Sequence, residues 1–219
     1  MSGLHLYTYD NPPSERDLDR THRVLSNDGV IAYPTDVNWA LGCDATSTKA
    51  LDQIHLLKPT HPKDRPFSLI VSSIAMAADY VTIDNASYRL LKKAWPGPYT
   101  VLLTANRSFP RQLKDKRRVV GIRIPASPLI LAVVERLGRP LATTSVLGLQ
   151  SALVGDDEAP PAPHFGYEVM EMYGHGIELL LDLGHELPGL ESTIVDLTSG
   201  VPEIVRRGAG DATLFELGG

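Results

Sequence analysis

Five short polar segments follow apolar runs along the chain, and together they carry the residue types that hold anions. Lysine and arginine side chains bind phosphates and carboxylates, and serine and threonine hydroxyls donate to the same oxygens. Open α/β sheets commonly bind ligands where strands end. The pattern therefore predicts one anion-binding site, although an ordinary turn is the alternative interpretation of each segment alone. The segments are Pro34-Thr35-Asp36, Lys58-Pro59, Arg123-Ile124-Pro125, Thr143-Thr144-Ser145 and Arg206-Arg207-Gly208.

Other chemistries have less support in the residues. Neither the glycine-rich loop of P-loop proteins nor the Rossmann fingerprint occurs. The seven histidines lack zinc-motif spacing and cysteine partners, and Ser145 lacks the glycines of a nucleophile elbow. We therefore expect no metal site made of protein side chains. Cys43, Trp39 and Trp95 are predicted to be packing residues.

The composition is that of an ordinary globular protein. The chain has 219 residues, of which 43% are hydrophobic and 21% charged, which excludes disorder, collagen and coiled coil. No apolar run reaches the roughly 18 residues that a membrane span needs, and the first ten residues lack a signal-peptide pattern. With a single cysteine, the chain is predicted to be cytoplasmic, with no membrane partner.

The charges are distributed unevenly around a net charge of −5. Seven cations and one acid lie between Arg107 and Arg123, whereas the stretch from Pro140 to Val205 has eleven acids and no lysine or arginine. This asymmetry predicts one basic surface, suited to phosphates or carboxylates, and one acidic surface. A solvated charged loop is the alternative interpretation of residues 114–118.

Apolar period and turn residues alternate along the chain, which predicts a single α/β domain over residues 1–219. Helices are predicted after Ser14 (with Asp17 in a capping box), after Thr46 or Ser47, after Asp84, and over 128–137. The proline-rich stretch 149–173 is predicted to be a long mobile loop. Strands are predicted at 4–9, 29–33, 67–71, 99–105, 119–124, 141–145, 177–183, 192–197 and 203–207.

Seven segments in this order resemble the YrdC-like family, the threonylcarbamoyl-AMP synthases that begin threonylcarbamoyladenosine modification of transfer RNA. They span most of the chain, and their shared order is more specific than any one of them. The likeness is greatest to the YciO-like branch. The segments are 29–36 (GVIAYPTD), 41–45 (LGCDA), 95–100 (WPGPYT), 120–125 (VGIRIP), 143–145 (TTS), 192–196 (STIVD) and 205–209 (VRRGA).

The resemblance implies a twisted, open, mixed α/β sheet with flanking helices that encloses a positively lined cavity. It also implies a nucleotidyltransferase reaction in which L-threonine and bicarbonate form a carbamate that attacks the α-phosphate of ATP and releases pyrophosphate. Mg²⁺ bound to ATP would be the cofactor. Transfer RNA, double-stranded RNA and proteins of transfer RNA modification are further partners that the likeness suggests.

The resemblance also assigns roles to single residues. Thr35 would orient threonine, and Lys58 and Arg123 would be catalytic by holding carboxylate or phosphate oxygens. Ser145 would contact both the acyl substrate and the nucleotide. The remaining nucleotide contacts would come from Lys58, Thr143, Ser192 and Arg206.

Three departures from the synthase pattern leave the activity open. The synthases carry an arginine two residues after the motif lysine, where this chain has Thr60, with Lys63 or Arg65 as distant substitutes. Trp39-Ala40 replaces tyrosine-glycine, and Val146-Leu147 replaces alanine-asparagine. The alternatives are a non-catalytic protein that binds double-stranded or transfer RNA, and a nucleotide-binding relative with another acyl substrate. The oligomeric state is not predicted.

Overall fold

A computed structural model describes residues 3–58, 67–113, 118–146 and 162–216, with the side chain of Gln112 excepted. In the described residues ten strands form one sheet, in the order β1-β8-β2-β3-β7-β4-β6-β5-β9-β10. The strands are β1 Leu4–Tyr7, β2 Ile31–Pro34, β3 Trp39–Asp44, β4 Ser68–Ile70, β5 Tyr99–Thr104, β6 Val119–Arg123, β7 Leu141–Ser145, β8 Leu179–Asp182, β9 Thr193–Asp196 and β10 Glu203–Arg206.

Seven α-helices and one 3₁₀ turn, Arg111–Leu113, flank the sheet in the described part of the chain. Four strand pairs are parallel (β1/β8, β2/β8, β4/β6 and β5/β9) and the other five are antiparallel. The predicted mixed open sheet with flanking helices is therefore confirmed. The helices are α1 Glu15–Ser26, α2 Thr48–Leu57, α3 Ile74–Tyr80, α4 Asn85–Ala94, α5 Pro128–Leu137, α6 Gly166–Tyr173 and α7 Thr213–Glu216.

Local sequence signals explain most helix ends. The Ser47 hydroxyl accepts from the backbone N–H of Ala50 at 3.1 Å, and Asp84 accepts from that of Ser87 at 2.7 Å. Gly138 ends α5 in the left-handed region, at φ 72°. The capping box at Ser14 was wrong, because its side chain caps nothing and Asp17 instead accepts from the hydroxyl of Thr8 at 2.9 Å.

Four elements were not predicted: β3, α3, α6 and α7. The prediction of a loop throughout 149–173 was wrong over α6, which begins where Glu168 Oε2 accepts from the backbone N–H groups of His164 (2.7 Å) and Phe165 (2.8 Å). Residues 149–161 of that predicted loop lie outside the described residues.

The strand register sorts the side chains of the sheet into two faces. One face, here called the back face, includes Leu41 of β3, Ile122 of β6 and Val101 of β5. These are fully buried in a large apolar cluster together with residues of α2, α3, α4, α6 and α7. Cys43, Trp39 and Trp95 belong to the same cluster, as predicted for packing residues. Burial raises the pKa of the Cys43 thiol, which keeps it neutral.

The opposite face, here called the front face, is divided into two halves. Over β8, β2 and β3, and at Ile70 of β4 and Leu141 of β7, it carries apolar side chains that pack beneath α1 and α5 in a second cluster. We call this the apolar half. Its sheet residues are Ile31, Tyr33, Ala40, Ile70, Leu141, Leu179 and Leu181.

Candidate functional site

The other half of the front face is polar. Ser68 of β4 is opposite Thr143 of β7, and Ile70 is opposite Arg123 of β6. Because side chains alternate along a strand, the front-face positions continue across β5, β9 and β10. We call this set the polar half. Its members are Ser68, Thr143, Ser145, Gly121, Arg123, Thr100, Ser192 and Arg206.

The predicted residues lie on the same face of the sheet, and not at the same end of its strands. β7 is antiparallel to β4, whereas β6 is parallel to β4, so the last residues of β6 and β7 lie at opposite edges. The expectation that the segments meet where strands end was therefore wrong. For Lys58 it was wrong in a second way, because this residue follows helix α2 and no strand.

Lys58 is a buried cation beside β7. The residue is 5% exposed, and Nζ donates a hydrogen bond to the backbone carbonyl of Ser145. Burial lowers its pKa to about 8 because the charged amine loses solvation. No carboxylate within the described residues pairs with it, so two of its three N–H donors are available to a ligand.

Arg123 and Asp36 form a buried ion pair across the front face. Arg123 Nη2 donates to Asp36 Oδ1, with the two side chains 8% and 12% exposed. Within the part of the chain that is described, Arg123 Nε and Asp36 Oδ2 are buried without a hydrogen-bond partner. An unsatisfied buried donor and acceptor cost free energy, so their presence indicates a binding position.

The cations that the sequence places between Arg107 and Arg123 do not form one basic surface. Arg123 is buried and its charge is balanced, so it does not belong to a basic surface. Arg107, Arg111 and Arg118 are exposed, while residues 114–117 lie outside the described residues.

The Thr35 hydroxyl forms its hydrogen bonds within its own turn. It donates to the carbonyl of Asn38 at 2.7 Å and accepts from the N–H groups of Asn38 (3.1 Å) and Val37 (3.3 Å). Its side chain thereby shapes the turn that carries Asp36. Orientation of threonine by Thr35 itself stays a prediction.

Thr143 is also committed to the protein. It donates to the carbonyl of Leu41 at 3.1 Å, so the Tyr33 hydroxyl, 2.6 Å away, is the donor in their contact. Burial raises the pKa of Tyr33 and keeps it protonated. Thr143 therefore links β7 to β2 and β3 through hydrogen bonds. Its contact with a nucleotide stays a prediction.

Ser192 and Arg206 form a second cluster at the far side of the polar half. Thr100 and Ser192 share a hydrogen bond of 2.9 Å between their hydroxyls. Arg206 donates to the Ser192 carbonyl from Nε (3.1 Å) and Nη2 (2.8 Å), and pairs with Glu191 at 2.6 Å. The guanidinium holds the chain just before β9 in place.

The structure thus groups the predicted residues into two clusters. Lys58 and Ser145 lie together, and Ser192 and Arg206 lie together, while Arg123 shares their face. The sequence reasoning assigned no role to Asp36, Asn38 or Thr100. Thr100 lies on the front face of β5 and alternates with Val101 and Leu103 of the back face, and this alternation was visible in the sequence. No comparable signal marked Asn38. Thr60, Lys63, Arg65 and Leu147 lie outside the described residues.

The family model named Sua5/YciO/YrdC, described as telomere recombination, matches residues 23–208. The chain belongs to this family. Among its relatives is the protein YciO of Escherichia coli (strain K12), 30% identical over 210 residues, which are 95% of this chain and 97% of that protein. A threonylcarbamoyl-AMP synthase of Xanthomonas axonopodis pv. citri is 35% identical over 132 residues, 59% of this chain and 70% of that protein.

Solved structures of the Sua5/YciO/YrdC family have the same fold. The crystal structure of Escherichia coli YciO superposes with a TM-score of 0.86 at 29% identity, over 97% of this chain and 99% of that one. Pyrococcus abyssi Sua5 complexed with L-threonine has a TM-score of 0.80 at 26% identity, over 94% of this chain and 57% of that one.

Among the described residues, three or more histidine, cysteine, aspartate or glutamate side chains do not come together as a metal-binding group. None of the described helices is long and apolar enough to cross a membrane.

Proposed function

We propose that this protein is an enzyme that makes threonylcarbamoyl-AMP and pyrophosphate from L-threonine, bicarbonate and ATP. The observation that carries the proposal is the polar half of the front face, where Arg123, Ser145 and Arg206 project from separate strands of one sheet. Lys58 adds a second buried cation beside Ser145. Such a surface suits a ligand with several anionic oxygens.

The relatives support this class of reaction. A family member is named as a threonylcarbamoyl-AMP synthase, and Sua5 of Pyrococcus abyssi is complexed with L-threonine. The positively lined cavity remains part of the proposal.

The proposed chemistry needs charge and alignment more than a nucleophilic side chain. A carbamate oxygen of N-carboxythreonine attacks the α-phosphorus, an O–P bond forms, and the P–O bond to pyrophosphate breaks with its electron pair leaving on pyrophosphate. Lys58 and Arg123 would hold carboxylate and phosphate oxygens, and Arg206 with Ser192 would fix the nucleotide. The proposed cations thereby stabilise charge that moves onto the leaving group.

We propose that Mg²⁺ enters with ATP. The described residues offer single carboxylates such as Asp36, itself paired with Arg123, and no set of three ligands. Phosphate oxygens and water are the ligands that Mg²⁺ prefers in such sites, and the ion would neutralise the leaving pyrophosphate. No residue of the chain is assigned to it.

Pyrophosphate release tests the proposal. With Mg²⁺ and ATP, the wild type should release pyrophosphate only when L-threonine and bicarbonate are both present. Lys58→Ala should lower the rate roughly 100-fold or more, because it removes a buried cation next to Ser145. Lys49→Ala is the matched control, since Lys49 is an exposed lysine of helix α2, which Lys58 directly follows, and its removal should leave the rate unchanged.

The outcomes separate the alternatives. Release without threonine would favour a nucleotide-hydrolysing relative with another acyl substrate. If no combination of substrates leads to pyrophosphate release, the proposed enzymatic activity is rejected. RNA titration at several salt concentrations would then test the RNA-binding alternative.

A further inference from the structure

Asn38 is a buried amide that joins the two clusters of the polar half. It is 4% exposed, and its Nδ2 donates to Ser145 Oγ at 3.0 Å and to the backbone carbonyl of Leu190 at 2.8 Å. The N–H of Leu190 in turn donates to the carbonyl of Val37 at 3.0 Å. Asn38 therefore ties Ser145 to the chain that leads directly into Ser192.

The orientation of this amide follows from its partners. A backbone carbonyl can only accept, so the side of Asn38 that faces Leu190 must be the NH₂ group. The same NH₂ group faces Ser145, so the amide donates and Ser145 Oγ accepts. Within the described residues Ser145 Oγ has no second hydrogen-bond partner, so its own proton is left for another acceptor.

We propose that Asn38 is a positioning residue that makes Ser145 a hydrogen-bond donor to an anionic oxygen of the ligand. The inference rests on the proposed function, which it deepens. Ser145 is half-buried on the front face, and its carbonyl holds Lys58 Nζ, so the hydroxyl and the ammonium group start from the same residue. An anionic oxygen bound there would receive both donors.

Asn38→Asp tests the direction of this hydrogen bond with little change of shape. Aspartate can only accept, so the Ser145 hydroxyl would turn its proton toward residue 38 and away from the ligand. A merely structural link would lower stability without this specific effect. Asn38→Ala is the second variant, because it removes the donor and adds no charge.

Calorimetric titrations with L-threonine and with Mg²⁺–ATP, done separately, distinguish a carboxylate from a phosphate as the acceptor. We expect Asn38→Asp and Ser145→Ala to weaken binding of one of the two ligands by about tenfold each. The double variant Asn38→Ala with Ser145→Ala should bind no more weakly than Ser145→Ala, because Asn38 is proposed to act through the Ser145 hydroxyl. Asn106→Asp is the matched control, because the Asn106 amide also donates two hydrogen bonds, but to the backbone carbonyls of Ala78 (3.3 Å) and Asp79 (3.0 Å) at the end of α3 and to no hydroxyl within the described residues.

Four results would overturn the inference: wild-type affinity in both Asn38 variants, wild-type affinity in Ser145→Ala, a double variant much weaker than Ser145→Ala, or a wild type that binds neither ligand. The pyrophosphate assay stays separate from these titrations. Suppose that the wild type binds its ligands and that the variants at Asn38 and Ser145 lower the affinity as expected, but that no pyrophosphate is released. The proposed reaction then fails, and the role of Asn38 stands.

Discussion

The apolar and polar halves of the front face belong to the same sheet, but they differ in the kind of side chain that they bury. In the apolar half, helices α1 and α5 cover fully buried side chains such as Ile31 and Ile130, so burial of apolar surface stabilises the fold. In the polar half, Arg123 and Asp36 are buried with unsatisfied atoms, which lowers stability. The difference indicates that the apolar half stabilises the fold, whereas the polar half carries the proposed binding site at a cost in stability.

The largest expected effect is the difference between alanine substitutions in two arginine ion pairs. Arg123→Ala should leave Asp36 buried and unpaired, lower the free energy of unfolding by ~3–5 kcal/mol, and reduce pyrophosphate release roughly 100-fold. Arg136, which pairs with Glu15 and Asp19 over the apolar half, is more exposed. Arg136→Ala should change neither urea denaturation nor turnover measurably, since exposed ion pairs are screened by solvent.

A double variant sharpens this contrast. Asp36→Asn with Arg123→Ala removes the stranded charge, so stability should recover while pyrophosphate release stays low. If Arg123→Ala is as mild as Arg136→Ala in both measurements, the division of the front face into two kinds of surface is wrong.

The next effect concerns the apolar half. Ile130 of α5 is fully buried, so Ile130→Ala should lower the free energy of unfolding by ~2–5 kcal/mol because it leaves a cavity. At a temperature where the variant is folded, its KM for L-threonine and ATP should equal that of the wild type. Urea denaturation and steady-state kinetics measure the two quantities. A raised KM would show that the two halves are coupled.

The smallest effect is the pH dependence of Lys58. The amine is protonated and cationic below its pKa of about 8, so kcat/KM should decline above that pH by up to about tenfold per unit. Lys58→Arg keeps its charge, and the ratio of wild-type to variant kcat/KM removes the titration of the substrates. A ratio that is flat from pH 7 to 10 would show that the ammonium charge plays no part.

The same pKa has a consequence for stability with a definite sign. Between pH 8 and about 10.4 the unfolded lysine holds a proton that the folded one has lost, so the free energy of unfolding should rise with pH. Lys58→Met should lack this rise in urea denaturation.

The sequence was a good guide to elements with local signals and a poor one elsewhere. The caps at Ser47 and Asp84 and the glycine at 138 placed three helix ends. Strand β3 was not predicted, although the turn residues Asp36 and Asn38 separate it from β2. Helix α6 was missed because prolines precede it, and its start depends on the side chain of Glu168.

The candidate site was predicted in its residue types but not in its geometry. The segments with Lys58, Arg123, Ser145 and Arg206 were recognisable because cations and hydroxyls near apolar runs suit anions. That Thr35 donates to Asn38 could not be predicted, since such a choice depends on which backbone groups the fold leaves without partners.

The amino-acid sequence by itself determined the alternation of helices and strands, the family motifs and the residue types from which an anionic ligand is proposed, because capping, period and side-chain charge are local properties. Only the tertiary structure decided that residues from β5, β6, β7 and β10 share one face, because that depends on the order and direction of strands distant along the chain. It also decided that Arg123 is paired with Asp36 and that Asn38 directs Ser145, since hydrogen bonds form between whichever groups packing brings within reach.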